Sequence, residues 1–270
     1  MMDPNVSFVI LTWNSERCVA ACLESVLSLG KLCFEIHVVD NGSTDRTLSI
    51  VRRIADGDCR VIVRELKKNL GTTVPRNMAL RELSPDATHV CILDSDTIVN
   101  RLAFDDMLAV LNSNVSIGVV GPTMTSPKGD VQLSGRNLPT LGIKLGKACP
   151  VSGIANRAAR LEEPATPVVD GLQDVGYLLS ACWLMPVGSI SAVGLLDEKI
   201  FYAPEDVDWC LRCHKEGLRV VRDHRVSIVH EYQRVGHKKL LSRVNYEHMK
   251  GLAHYYRKHG YILHAPTYGK

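Results

Sequence analysis

Short apolar runs punctuate the first half of the chain at a steady interval. They begin at Val6 (VSFVILT), Phe34 (FEIHVVD), Arg60 (RVIVREL), His89 (HVCILD) and Ile117 (IGVVGP), 26–29 residues apart. That interval holds a strand, a helix and two loops. Each run is rich in β-branched residues and nearly continuous rather than alternating, which predicts parallel strands covered on both faces. Between the runs, apolar residues fall at helical spacing. Val19, Cys22, Leu23, Val26 and Leu27 follow Asn14-Ser15, which reads as a capping pair. Leu48, Val51 and Ile54 follow Ser43-Thr44-Asp45, and Leu102, Met107, Leu108 and Leu111 stripe the segment from Arg101 to Leu111. The first 120 residues therefore predict βαβαβαβαβ, an open, doubly wound α/β sheet.

Ligands of such sheets bind outside the carboxyl ends of the strands. The first strand ends in Thr12-Trp13-Asn14 and the second in Asp40-Asn41-Gly42-Ser43-Thr44-Asp45. Asn69-Leu70-Gly71-Thr72-Thr73 follows the third, and the fourth ends in Asp94-Ser95-Asp96. Polar and acidic groups thus converge on one edge. No GxGxxG follows the first strand and no GxxxxGK[ST] occurs, which counts against a dinucleotide dehydrogenase and a P-loop nucleotidase.

Asp94 and Asp96, two apart after an apolar strand, can converge on one hard cation if the chain turns there. Mg²⁺ or Mn²⁺ held that way keeps open positions for phosphates. The plainer reading is a strand-ending turn, which Asp and Ser also favour. Asp40 can accept from a ribose hydroxyl or a base N–H, or it can close an Asx-turn through Asn41-Gly42-Ser43.

Composition adds bounds. Hydrophobic residues at 46% and charged residues at 23% describe a folded globule, not a disordered tail. A net charge of +3 is too small to argue for nucleic acid as a partner. The cysteines number nine, an odd count, and no basic leader or long apolar run accompanies them, so they read as reduced packing residues in a cytoplasmic protein. Cys210-x-x-Cys213-His214 has half the spacing of a zinc site but lacks a second pair. No stretch approaches the roughly 18 apolar residues of a membrane span.

In the second half, Pro204-Glu205-Asp206-Val207-Asp208 starts a helix, with proline early and acids in the first turn. Val207, Cys210, Leu211 and Leu218 give it an apolar face, and Gly217 stops it. The order of motifs, VSFVILTWN, VVDNGSTD, NLGTTVPRN, LDSD and then FYAPEDVDWCLRCHKEGLRVV, resembles glycosyltransferase family 2, whose members are inverting enzymes of the GT-A fold. His224 to His230 and Tyr255 to Gly260 are similar to its rhamnosyltransferase-like subgroup. The resemblance spans nearly the whole chain except roughly Thr123 to Val175.

The resemblance implies a single domain: a nucleotide-sugar half (residues 1–97), an acceptor and catalytic half (98–233) and a basic helical end (234–270). It implies that Thr12, Asn14, Asp40, Asn69, Arg76 and Asn77 line the donor pocket, with Asp94 and Ser95 near ribose and sugar. It gives Asp96 to a Mn²⁺ or Mg²⁺ ion bridging the donor diphosphate, and His230 to the same ion; read without the family, His230 is a satisfied buried histidine. It makes Asp206 the base that deprotonates the acceptor, with Glu205 positioning it, whereas spacing alone leaves Glu205, Asp206 and Asp208 open. The implied partners are a UDP- or dTDP-sugar and a glycan or lipid-linked glycan. The rivals are a sugar nucleotidyltransferase, which calls for a Gly-rich basic loop after the first strand, and a catalytically silent nucleotide-sugar binder.

Two segments stay open. Thr123 to Val175, rich in Gly, Pro, Ser and Thr, reads as an irregular acceptor-side loop in which Arg136, Lys144 and Lys147 either contact anions or are simply solvated. Beyond Tyr232 the chain turns basic (Arg234, His237, Lys238, Lys239, Arg243, Lys250, Arg257, Lys258), with Leu240, Leu241, Val244, Leu252, Tyr255 and Tyr256 on one expected helix. That helix either holds diphosphate, leans peripherally on an anionic membrane, or packs with a solvated face. A homo-oligomer is equally compatible with the sequence.

Overall fold

The computed structural model describes residues 5–231 and 243–268. The predicted alternation is present: β1 (Val6–Thr12), α1 (Val19–Leu27), β2 (Cys33–Asp40), α2 (Thr47–Gly57), β3 (Val61–Glu65), α3 (Thr73–Leu80) and β4 (His89–Asp94). A short β5 (Thr97–Ile98) leads into α4 (Arg101–Ser113) and β6 (Ile117–Thr125). Then come β7 (Val131–Gln132), β8 (Gly135–Arg136), α5 (Leu141–Ala148), α6 (Ser152–Arg160), β9 (Val168–Val169), β10 (Leu172–Asp174) and β11 (Tyr177–Leu178). The chain continues through β12 (Cys182–Pro186), α7 (Val187–Val193), α8 (Glu205–Lys215), β13 (Arg219–His230) and α9 (Arg243–His259).

The main sheet runs β3-β2-β1-β4-β12-β6-β13-β10-β9. Strands β3, β2, β1 and β4 are parallel. β12 then enters antiparallel between β4 and β6, so the fifth apolar run of the sequence is not the neighbour of the fourth. Hydropathy could not foresee this, because the inserted strand comes from some sixty residues further on. The chain winds outward from β1 to β3 and returns to the other side of β1 at β4, making a crevice where those two strands end. Pairing of Thr12 with Asp40 and of Leu11 with Asp94 brings the three polar strand ends to one level.

Both faces of the sheet are covered, which explains the continuous apolar runs. Along β1, Phe8 and Ile10 pack with Val19, Leu23 and Phe104 on one side, while Val9 joins Trp183, Trp209 and Tyr255 on the other. Each such side chain, fully buried, contributes about 1.5–3 kcal/mol. Cys210 and Cys213 sit in that second core, and His214 bonds the carbonyl oxygens of Val175 and Gly176 through its Nε2. No helix among the described residues is long and apolar enough to cross a membrane.

Several local expectations need correction. Asn14-Ser15 does not cap α1 with a side chain: the helix begins at Val19, and the Ser15 carbonyl receives the N–H groups of Cys18 and Val19. The segment 123–175 is not an irregular loop. It contributes the end of β6, the strands β7 to β10 and the helix pair α5–α6. Short elements of two or three residues carry too little periodicity to be read from sequence. Of the expected C-terminal helix, the described part is α9, which is packed: Leu252, Tyr255 and Tyr256 are buried. Lys258 and His259 bind Asp208 at 2.7 and 2.9 Å, and Lys258 and His254 bind Asp197, so Lys258 is committed to the fold rather than to a diphosphate. Tyr232, Arg234, His237, Lys238, Lys239, Leu240 and Leu241 lie outside the described residues.

Candidate functional site

Asp94 ends β4, and Asp96 follows on the turn into β5. The twelve-residue β13 reaches past β6 and pairs His230 with Thr97, which carries the imidazole to Asp96. His230 Nε2 lies 3.4 Å from Asp96 Oδ1, and Asp94, Asp96 and His230 each offer a ligand atom within 4.8 Å of the others. Two carboxylates and one imidazole make a donor set that suits Mn²⁺ or Mg²⁺.

Gln132 fixes the ring. Its Nε2 donates to the His230 carbonyl at 2.9 Å, so its Oε1 is left to accept from His230 Nδ1 at 2.8 Å. The neutral imidazole therefore carries its proton on Nδ1 and its lone pair on Nε2, towards Asp96. Burial opposes charging of His230, but the Asp96 hydrogen bond and charge, with Asp94 behind, outweigh it and raise the pKa. Burial and the Asp96 charge push Asp94 up, while Arg76 and His230 pull it down. A cation would relieve this crowding of carboxylates.

Arg76 is the hub behind the triad. Its side chain is 1% exposed, yet it spans two halves of the site: Nη2 meets Asp94 Oδ1 at 2.6 Å, while Nη1 meets Ser180 Oγ at 2.9 Å and Glu205 Oε1 at 3.3 Å. So deep a guanidinium braces the acids from within the fold rather than from its surface. Asn77, with no exposed surface, likewise gives its amide to Leu196 and Glu198.

The residues expected to line a nucleotide pocket fall around the β1–β2 ends. Asp40 is 1% exposed and accepts from Thr12 Oγ1 (3.0 Å), Ser43 N (2.9 Å) and Ser43 Oγ (2.6 Å), which is the Asx-turn arrangement. Asn14 is exposed, with a left-handed φ of 52°, and its Oδ1 accepts from Thr44 N. Trp13 beside it is 43% exposed. Asn69 Oδ1 accepts from Gly71 N and from Asn41 Nδ2, and buried Asn41 also holds Leu70 N and Gly71 O. Ser95 is buried against Ser15, 2.9 Å between hydroxyls. A cavity of about 410 Å³ lined by Asn14, Glu16, Arg17, Asp45 and Glu231 opens beside the triad, where Glu231 N–H donates to Asp96 O.

On the other side, α8 begins at Glu205. The start of α3 clamps the preceding loop: Thr72 N and Thr73 Oγ1 donate to the carbonyls of Phe201 and Ile200 at 2.7 Å each. A Cβ at Gly71 (φ +85°) would stand 2.0 Å from Phe201 O, so only glycine permits this approach. Glu205 is buried, and burial, then the Asp206 charge, pushes its carboxyl well above the usual range despite Arg76. Asp206 is half-buried and raised by burial, with the Val207 N–H and then the charges of Lys144 and Arg136 pulling back. Asp208 is wholly buried between Arg212, Lys258 and His259 and faces α9. Of the three acids, only Asp206 combines access with freedom from an arginine or lysine contact shorter than 4 Å among the described residues.

The sequence profile of Glycosyl transferase family 2 matches residues 7–155. The chain belongs to glycosyltransferase family 2. The match runs well into the segment past Thr123 that the motif order had left out. A Mycobacterium tuberculosis N-acetylglucosaminyl-diphospho-decaprenol L-rhamnosyltransferase is 30% identical over 210 residues, 72% of this chain and 66% of that one. The Staphylococcus aureus poly(ribitol-phosphate) beta-N-acetylglucosaminyltransferase TarS is 33% identical over 113 residues, 41% of this chain and 19% of its own. The chain thus spans just under two thirds of the first relative and a fifth of the second. Among solved structures, the mannosyltransferase PcManGT from Pyrobaculum calidifontis, in complex with GDP-Man and Mn²⁺, superposes with a TM-score of 0.66 at 17% identity, over 98% of this chain and 67% of that one. The family 2 chain therefore has the GT-A fold.

Two supports of this family 2 site escaped the sequence reading. Gln132 stands 98 residues from His230, on a strand of two residues, and leaves no periodic signal. Ser180 shares the Glu205 carboxylate with Arg76 from the loop before β12, again without a motif.

Proposed function

We propose that this family 2 protein is a metal-dependent inverting glycosyltransferase that moves one sugar from a UDP- or dTDP-sugar to a hydroxyl of a glycan or lipid-linked glycan. The observation that carries the reading is the pairing, through one buried Arg76, of the candidate cation triad with a helix-starting Glu205-Asp206 pair.

Asp94, Asp96 and His230 would hold Mn²⁺ or Mg²⁺, which when bound neutralises charge building on the leaving diphosphate. Trp13 offers an aromatic face at the end of β1 on which a base can stack, and Asn14, Asn69 and the Asp40 turn shape the wall around it. The acceptor oxygen attacks the anomeric carbon from the face opposite the diphosphate, and the carbon–oxygen bond to that diphosphate breaks. Asp206 takes the acceptor proton as the new bond forms. Its raised pKa strengthens it as a base, while Glu205, held by Arg76 and Ser180, fixes the first turn of α8. The lipid-linked acceptor class is supported by the name of the mycobacterial relative, which acts on a diphospho-decaprenol.

Asp206→Asn tests the assignment. Transfer to the acceptor that supports turnover is expected to fall 10²–10⁴-fold, roughly the worth of a general base, with donor binding intact. Full transfer by this variant would place the base elsewhere.

A further inference from the structure

Glu162 lies in the turn just past the end of α6, and its side chain is 3% exposed. Three cations converge on this one carboxylate: Arg136 Nη1 at 2.7 Å, Lys147 Nζ at 2.6 Å and Lys144 Nζ at 3.5 Å. A single partner would compensate one buried carboxylate, so the cluster holds two positive charges beyond Glu162, which Asp206 meets only at longer range. The cations are not sealed in: the Arg136, Lys144 and Lys147 side chains keep 24%, 27% and 35% of their surface. Arg136 and Lys144 also act electrostatically on Asp206, which puts the surplus beside the first turn of α8. Burial, with the repulsion of Lys147 and Arg136, depresses the Lys144 pKa despite Glu162 and Asp206.

Helical geometry places an apolar strip next to these lysines. At 100° per residue, Leu141, Leu145 and Ala148 share one line on α5, and Lys144 and Lys147 the adjoining one. Leu145 is 62% exposed. Leu141 N donates to Ile262 O, which brings exposed Ile262 and Leu263 to the same border. Charge and apolar surface thus lie side by side along α5.

We propose that Arg136, Lys144 and Lys147, braced by Glu162, form the subsite for a diphosphate group carried by the acceptor, with the Leu141–Leu145 strip receiving the hydrocarbon chain attached to it. The subsite is separate from the Asp94–Asp96–His230 triad and lies on the Asp206 side, where an acceptor must enter. The proposal rests on the reading of Asp206 as the base that faces the acceptor. It assigns Arg136, Lys144 and Lys147 to binding and orienting the acceptor, not to bond making.

The test is binding of farnesyl diphosphate to the full chain in EDTA, by isothermal titration, with inorganic pyrophosphate as the headgroup-only probe. Farnesyl diphosphate is expected to bind at least tenfold more tightly than pyrophosphate. Lys144→Gln with Lys147→Gln is expected to weaken it tenfold or more, Leu145→Ser to erode only the advantage over pyrophosphate, and Asp96→Ala to change nothing. Lys144→Gln alone, which leaves Arg136 and Lys147 on Glu162, keeps the comparison should the double variant melt early. Unchanged binding by the lysine variants, or loss of binding in Asp96→Ala, overturns the subsite; equal affinity for the two probes overturns its lipid half. No donor or transfer step enters the measurement, so failure of the Asp206 assignment, seen as full transfer by Asp206→Asn, is read separately.

Discussion

The residue that governs this site is Arg76, buried to 1% exposure and held between Asp94 and Glu205. Removing a partner from a buried ion pair costs roughly 3–5 kcal/mol, because the remaining charge is stranded. Arg76→Met is expected to cost about 3 kcal/mol in urea unfolding, the lower end of that range, since Glu205 already favours its neutral form and can take up a proton. Arg76→Lys recovers the charge but not the fork that reaches Ser180, Glu205 and Asp94 together, so transfer is expected to stay low when stability returns. At this scale the sequence announced the acids and hid their supports. Asp94, Asp96 and His230 stand at strand ends or beside them, where alternation of apolar runs and polar stops makes them visible. The family resemblance sets Arg76 in the donor pocket, because an order of motifs says nothing about how deep a guanidinium is buried.

Among the elements, β7 and α9 carry consequences that no motif suggested. β7 supplies Gln132, which sets the His230 tautomer. Loss of such an outer partner typically costs 10–100-fold in metal affinity, so Gln132→Leu is expected to weaken Mn²⁺ binding by that range in a titration calorimeter, beside a loss of about 1–3 kcal/mol in the stability of the metal-free protein from the unpaired His230 groups. α9 is docked by Asp208 and Asp197. Burial opposes ionisation of both, and hydrogen bonds from His259 and Lys258 to Asp208, and from Lys258 and His254 to Asp197, overcome it and depress the two pKa values. Carboxylates depressed in the folded state add stability that is complete above their unfolded pKa, near 4, and is lost as pH falls through the folded value. Hydrogen exchange in α9 is therefore expected to accelerate below pH 4 before the β1–β4 core opens, and Asp208→Asn to bring that onset to higher pH. The strands β1 to β4 were legible because each has five to eight residues of apolar pattern. The α5–α6 region was not, since Gly, Pro, Ser and Thr dilute its helical stripe.

The whole molecule joins two kinds of surface across one sheet. Parallel strands β1 to β4 present Asp40, Asp94 and Asp96 at a topological switch, and the antiparallel β12 with β13 and α8 completes the opposite wall. Doubly wound topology was readable from the period of the apolar runs. The insertion of β12 between β4 and β6, which brings Ser180 and α8 against Arg76, depended on long-range pairing that local pattern does not encode. On the proposed function, the acidic edge holds a nucleotide-diphosphate sugar through a cation while Asp206 acts only on the acceptor. Calorimetric binding of UDP-, dTDP- and GDP-sugars to the wild-type protein, Asp96→Ala and Asp206→Asn, with and without Mn²⁺, tests it most directly. One nucleotide class is expected to bind wild type and Asp206→Asn alike, only with Mn²⁺, and Asp96→Ala is expected to lose this metal-dependent binding. Equal binding by Asp96→Ala, or no binding of any donor class to the wild-type protein, would contradict it.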